Sequence, residues 1–148
     1  MTKDLHNNLK LTTSIVPAVK SSDTNGTGID TAGYEAVEMV VMVGLSADTL
    51  SSTNKISLEL EESTDNSTFT DVAEADMIGG ISGGTVGEFA LIDAATEDEL
   101  TYKVGYRGTQ RYIRPVLNFS GTHTTGTPIG AVAILGKPRN APTSNTAA

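Results

Sequence analysis

The chain has no cysteine and no tryptophan, and aromatic residues fill only 5% of its 148 positions. Without cysteine there is no disulfide, no thiolate metal ligand and no cysteine nucleophile. Pockets for sugars and nucleobases lean on aromatic faces, so the shortage of rings weighs against both. No apolar run approaches the length of a membrane span, and the opening MTKDLHNNLK is not an apolar signal segment. The expectation is a soluble protein made in a cytoplasm, with no membrane partner. Acid is missing from one region: all 18 Asp and Glu residues lie within positions 1–100. The stretch beyond carries Lys103, Arg107, Arg111, Arg114, Lys137 and Arg139 with no counter-charge of its own.

This split has two readings. A chain with an acidic and a basic part docks onto itself, or onto another mixed-charge surface, in a fixed orientation. Alternatively, basic strands interleave with acidic ones inside one fold and the field averages out. The net charge of −8 repels phosphate at long range, which argues against a nucleic-acid partner.

What is present is β texture. The length suits a single domain, and an apolar fraction of 38% suffices for one core. Residues 34–44 read as a strand buried on both faces in its middle, since Val37, Met39, Val41 and Val43 alternate with Glu38, Val40 and Met42. Ile56, Leu58 and Leu60 alternate with Ser57, Glu59 and Glu61, a half-buried strand with an acidic outer face. Phe69–Val72 is a short return, and Glu88–Ile92 a further strand. Tyr102, Val104 and Tyr106 share one face. Ile113, Leu117 and Phe119 point opposite to Arg114 and Asn118, and Pro115 sets that strand at an edge or a bulge. Ile129–Leu135 completes the set, with Leu58, Leu60, Val104, Ile113, Leu117 and Ile134 expected in the core. No window holds a helical period and no segment repeats. The fold expected is all-β, an antiparallel β-sandwich or jelly roll, with an extended N-terminal arm and a C-terminal tail. The boundaries are an arm and loop over 1–33, the sandwich over 34–136 and a flexible tail over 137–148. Pro17 and the missing period in 1–20 place that segment outside the sandwich, at most with one short edge strand.

Catalytic parts are scarce. His6 lies in the arm and His123 in a Thr/Gly loop, and no serine sits on an elbow motif. The stretch Gly79–Gly87 has no Gly-Lys-Ser/Thr ending and no helix pattern after it, so it reads as a loop able to approach a neighbour rather than a phosphate cradle. Asp23, Asn25, Thr27 and Asp30 imitate the start of a calcium loop, but position twelve is Tyr34 and no helices flank it. The acids at Glu61–Glu62 and Glu97–Glu99 read as solvated charge guarding strand edges. The expectation is a protein that is not an enzyme, with no cofactor and no metal.

Arg107, Arg111 and Arg114 beside tyrosine have the composition of an interface, or of ion pairs to the acidic strands. Tyr102–Gly108, Arg111–Gly121 and Pro128–Arg139, together with Ser63–Val72, resemble small structural proteins of tailed bacteriophages. The resemblance spans residues 34–140. It implies a virion protein on the capsid surface, a decoration or cement protein that binds and stabilises the head shell. Its partners would be the major capsid protein and copies of itself. A head–tail joining or tail subunit is the alternative in the same setting. A carbohydrate-binding β-sandwich for host attachment is the alternative from another class, and it would need Tyr34, Tyr102, Tyr106 or Tyr112 as its platform. The candidate interface is Leu5, Leu9, Leu11, Ile15 and Val16 in the arm, with Arg107, Arg111, Arg114, Lys137 and Arg139. An arm of this kind can add a strand to a neighbour's sheet.

Overall fold

Period-two alternation decides most of the strands, and two sheets packed face to face bury the apolar side of each. The structure is a computed structural model that describes residues 3–144. The strands in chain order are β1 (Leu9–Lys20), β2 (Thr24–Asn25), β3 (Ile29–Asp30), β4 (Tyr34–Val43), β5 (Lys55–Ser63) and β6 (Thr70–Asp71), then β7 (Met77–Ile78), β8 (Glu88–Ile92), β9 (Thr101–Tyr106), β10 (Tyr112–Ser120) and β11 (Thr127–Pro138). One sheet has the order β1-β11-β4-β9-β7. The other runs β2-β10-β5-β6, with β3 also on β10 and β8 also on β5. Every pairing is antiparallel. The fold is therefore an all-β sandwich. Single 3-10 turns at His6–Asn8 and Glu74–Asp76 are its helical segments among the described residues. None of these is long and apolar enough to cross a membrane.

The core lies between the sheets. Met39, Val41 and Val43 on β4, with Ile129, Ala131, Ala133 and Leu135 on β11, face Ile56, Leu58 and Leu60 on β5 and Ile113 and Leu117 on β10. Five of the six expected core residues are fully buried. Ile134 is the exception. It lies in the outward row of β11, because Ile129, Ala131, Ala133 and Leu135 take the inward one, and a one-residue offset reverses the face. The strand expected to be buried on both faces is also single-sided. Met39 and Val41 are enclosed, while Val40 is half-buried and Met42 is exposed.

The N-terminal segment differs most from its expectation. Leu9–Lys20 is no free arm but a twelve-residue edge strand laid along β11 from Leu9↔Gly136 to Lys20↔Thr127. Its period was hidden by register shifts between Thr13 and Ile15 and between Ile15 and Ala18. Pro17 sits in the second shift, where a missing N–H costs no ladder bond. Its ring covers Gly130, where an added Cβ would come within 2.8 Å of Pro17 Cγ. Ile15 is 3% exposed and belongs to the core.

The C-terminal segment is partly anchored as well. The Arg139 N–H donates to Gly33 O at 2.9 Å, and the Thr143 N–H donates to Asn7 O at 3.1 Å. The rest of the expected tail, 145–148, lies outside the described residues, as do the first two positions of the expected arm.

Pro115 is not at a sheet edge, yet its missing donor is accommodated. β10 pairs with β5 on one side and with β2 and β3 on the other. Pro115 falls where β2 has ended and β3 has not begun. Its carbonyl accepts from the Gly26 N–H at 2.8 Å on that side. A strand residue presents N–H and C=O to the same side, so the absent N–H also faces this break. Gly26 is required there: a Cβ would strike Ser14 Oγ and lie 2.7 Å from Pro115 Cδ.

Leu117 is 0% exposed at the centre of β10. Leu117→Ala is expected to cost about 2–5 kcal/mol, read from urea unfolding curves. Deleting residues 1–20 removes Ile15 and bares the whole outer edge of β11. The expected outcome is loss of the cooperative thermal transition, measured by calorimetry.

Candidate interaction surface

The arginines singled out in the sequence turn to the protein itself, three of them to its acids and Arg107 to a backbone carbonyl. Arg111 makes a two-pronged contact with Asp30, at 3.0 and 2.7 Å, and lies over the Tyr112 ring. Arg114 Nε donates to Glu61 Oε2 at 2.6 Å across the β10–β5 ladder, and its guanidinium sits 4.0 Å from the Phe69 ring centre. Arg139 reaches Glu35 at 3.9 Å. Arg107 Nε donates to Ala75 O at 2.8 Å. Lys137 is exposed at a positive φ of 49°. Of the two readings of the charge split, the structure gives the interleaved one. The basic strand β10 lies between β5 and the short β2 and β3, and β11 lies between β1 and β4.

The acids expected to be solvated are used as anchors. Tyr106 Oη donates to Glu62 Oε2 and accepts from the Gln110 N–H. Burial first, and the Glu62 hydrogen bond second, push the Tyr106 hydroxyl above its ordinary range. Asp98 is buried and accepts from the Ser46 N–H at 2.9 Å, while Glu97 accepts from the Asp93 and Ala94 N–H groups. Asp48 accepts from the backbone of Thr125 and Gly126, which holds its carboxyl below the usual aspartate range. The Gly79–Gly87 stretch is not a free loop. The Thr85 N–H donates to Glu88, and the Gly87 carbonyl accepts from the Leu60 N–H at 2.9 Å.

The remaining motifs do not converge. Asp23 accepts from the Phe119 N–H at 2.7 Å and Asp30 is held by Arg111, so the calcium-like oxygens point to separate tasks. Among the described residues no group of three His, Asp or Glu side chains could hold a metal. His123 is buried rather than at the surface. It contacts Ser120 O at 3.0 Å and meets the Phe119 ring edge-on. Of the tyrosines, Tyr106 is in the core and lines one groove together with Tyr34, and the Tyr102 hydroxyl is tied to Glu97 O.

The largest unassigned feature is the outer face of the β1-β11-β4-β9-β7 sheet. One row across it reads Leu11, Ile134, Glu38, Gly105, Ile78. The next reads Thr13, Val132, Val40, Lys103. Leu11, Met42 and Ile78 are 50%, 47% and 59% exposed. A groove of about 480 Å³ opens over Ala36, Gly105 and Gly136, and a second of about 240 Å³ lies between Pro17, Met42 and Pro128. The outer face of the other sheet is polar by contrast, with Ser57, Glu59 and Glu61 beside Asn118, Arg114, Asp71 and Glu88. A solvated sheet face normally alternates to polar residues, and a contiguous apolar one marks an interaction surface.

No protein-family profile and no curated protein matches the sequence. Among solved structures, the chain is similar to the SPBc2 prophage-derived protein YomS, at 15% identity and a TM-score of 0.49, over 88% of this chain and 94% of that one. A likeness of that size carries no argument about function.

The sequence-derived interface residues fall on separate parts of the surface. Leu11 belongs to the apolar face and Leu9 stands beside Gly136 at its end. Leu5, ahead of β1, and Val16, well along it, are each 69% exposed. Ile15 is enclosed. Arg111 and Arg114 lie on or beside the second sheet, whereas Arg107 follows β9 and Arg139 follows β11 in the first. Val40, Met42, Val132 and Ile78 were missed. The signal for Val40 and Met42 was present in the two-sided apolarity of residues 39–43.

The two ion pairs on β10 should separate by burial. The Arg114 and Glu61 side chains are 20% and 18% exposed, those of Arg111 and Asp30 57% and 44%. Arg114→Ala is expected to cost about 1–3 kcal/mol, since it strands Glu61 and uncovers Phe69. Arg111→Ala is expected to leave the unfolding midpoint almost unchanged, since its pair is solvent-screened. Urea unfolding of both variants checks the contrast.

Proposed function

We propose that the chain is a structural subunit of a bacteriophage virion, a decoration or cement protein that binds the outside of the head shell, and that it is not an enzyme. The observation that carries this reading is the asymmetry of the sandwich. One sheet spends its outer charges on its own neighbours, and the other carries a largely apolar outer face, with Leu5 and Val16 exposed beside its edge strand. The sequence resemblance of residues 34–140 to small structural proteins of tailed phages supplies the setting. A cement protein has to be a rigid block that is stable before assembly and presents fixed contacts to a repeated lattice. Symmetry then multiplies a modest contact over many copies.

On this reading the N-terminal end meets the shell through Leu5 and Val16. Both are exposed and neither belongs to the core. The bulges and Pro17 make the outer edge of β1 a poor template for an added strand, so side chains rather than a backbone ladder make this contact.

The test is co-sedimentation of the full chain with undecorated phage heads. Leu5→Asp combined with Val16→Asp is expected to abolish binding with the thermal transition kept. Full binding by that variant would remove the N-terminal end from the contact. Electron cryo-microscopy of the native particle then separates the shell from the alternative position at the head–tail joint or tail. Copies confined to the vertex or tail would replace the cement role with a joining one.

A further inference from the structure

We infer that the outer face of the β1-β11-β4-β9-β7 sheet is where two copies of this chain meet, around a two-fold axis. The face carries apolar side chains on β1, β11 and β4 and, beyond Gly105 and Lys103 of β9, ends on exposed Ile78. In the groove on this face Glu35 is paired with Arg139 and Arg107 is tied to Ala75 O, which leaves Glu38 and Lys103 as the charged side chains of the two rows. They sit on adjacent strands as diagonal neighbours, Glu38 opposite Gly105 and Lys103 opposite Val40. Neither takes part in an ion pair among the described residues. Glu38 is half-buried between Ile134 and Gly105, a poor place for a carboxylate without a counter-charge.

This pairing of one acid and one base identifies the occupant. A two-fold contact is isologous: if residue i of one copy touches residue j of the other, then j touches i. Two such faces brought together set each Glu38 against Lys103 of the second copy, so the interface neutralises itself while the surrounding Leu, Ile, Val and Met side chains are covered. Burial of both charges is tolerable only when each is paired. The net charge of −8 does not oppose this approach strongly. The acids Glu59, Glu61, Asp71 and Glu88 lie on the outer face of the opposite sheet. Packed sheets are about 10 Å apart. That is about one screening length at physiological salt.

The inference concerns the free chain in solution and stands or falls apart from any role on a phage head. Sedimentation velocity of the full chain over a concentration series is the test. A dimer is expected. Glu38→Lys should weaken it by about tenfold or more while the thermal transition stays in place. Adding Lys103→Glu to Glu38→Lys should restore the dimer. A wild-type chain that stays monomeric, a trimer, a dimer unaffected by Glu38→Lys, or a double variant that fails to recover would each overturn the assignment. Should Glu38→Lys lose its thermal transition, Met42→Asp at the exposed position decides: a folded monomer supports the interface, and a persisting dimer overturns it.

Discussion

Strand β11 has neighbours on both long edges, and the rest of the first sheet depends on that. It is the last strand in the chain, yet it lies between β1, the first, and β4. Its inward row Ile129, Ala131, Ala133 and Leu135 fills the middle of the core, and two small alanines there let the opposite sheet approach closely. Without β11 the edge strand β1 has no ladder, and Ile15 has no core to enter. The second sheet repeats the arrangement with β10, which lies between β5 and the short β2 and β3. Both of these interior strands come from the stretch of chain that carries no acid, and each pairs with an acid-bearing strand, β4 or β5. The pairings are non-local, so the sheets close late in folding.

That topology explains the charge split. Placing the basic strands centrally brings Arg114 to Glu61 and Arg111 to Asp30, each across a ladder. The more enclosed pair is also the one backed by a ring, Phe69. The exposed pair is anchored less firmly and is screened by salt. Composition by position could say that the two parts attract, but not whether they do so within one molecule. Strand order decided that, and strand order is not written in local pattern.

Local pattern was enough wherever one strand face meets the core and the other meets water. Glu88–Ile92 and the alternation through Ile56, Leu58 and Leu60 were read directly, and so was the inward set Ile113 and Leu117. It failed where a bulge breaks the count. In β1 two register shifts scatter the apolar residues, so a twelve-residue strand resembles an unpatterned arm. It failed again where both faces are apolar. Val40 and Met42 carry the same side chains as a second buried layer, and nothing in the sequence says that no second layer covers them. The parity of Ile134 was lost for the same reason, since Val132 and Ile134 are as apolar as the alanines that face inward. The most informative functional signal was thus present as composition and unreadable as geometry.

The first sheet exposes two different opportunities to a partner, and the structure treats them unequally. Its edge at β1 is guarded: bulges interrupt the ladder, Pro17 removes a donor, and the carbonyls of Ser14 and Leu9 are already taken by Thr27 and Thr143. Edges so protected resist open-ended pairing from chain to chain. Its outer face carries no such guard. Leu11, Ile134 and Ile78 lie in one of its rows with Glu38 and Gly105, and Lys103 stands diagonal to Glu38 in the next. A face that closes on one partner stops growth, whereas an open edge propagates it. On the proposed reading, a protein that stays dispersed until it meets a lattice gains from a guarded edge combined with a self-limiting face.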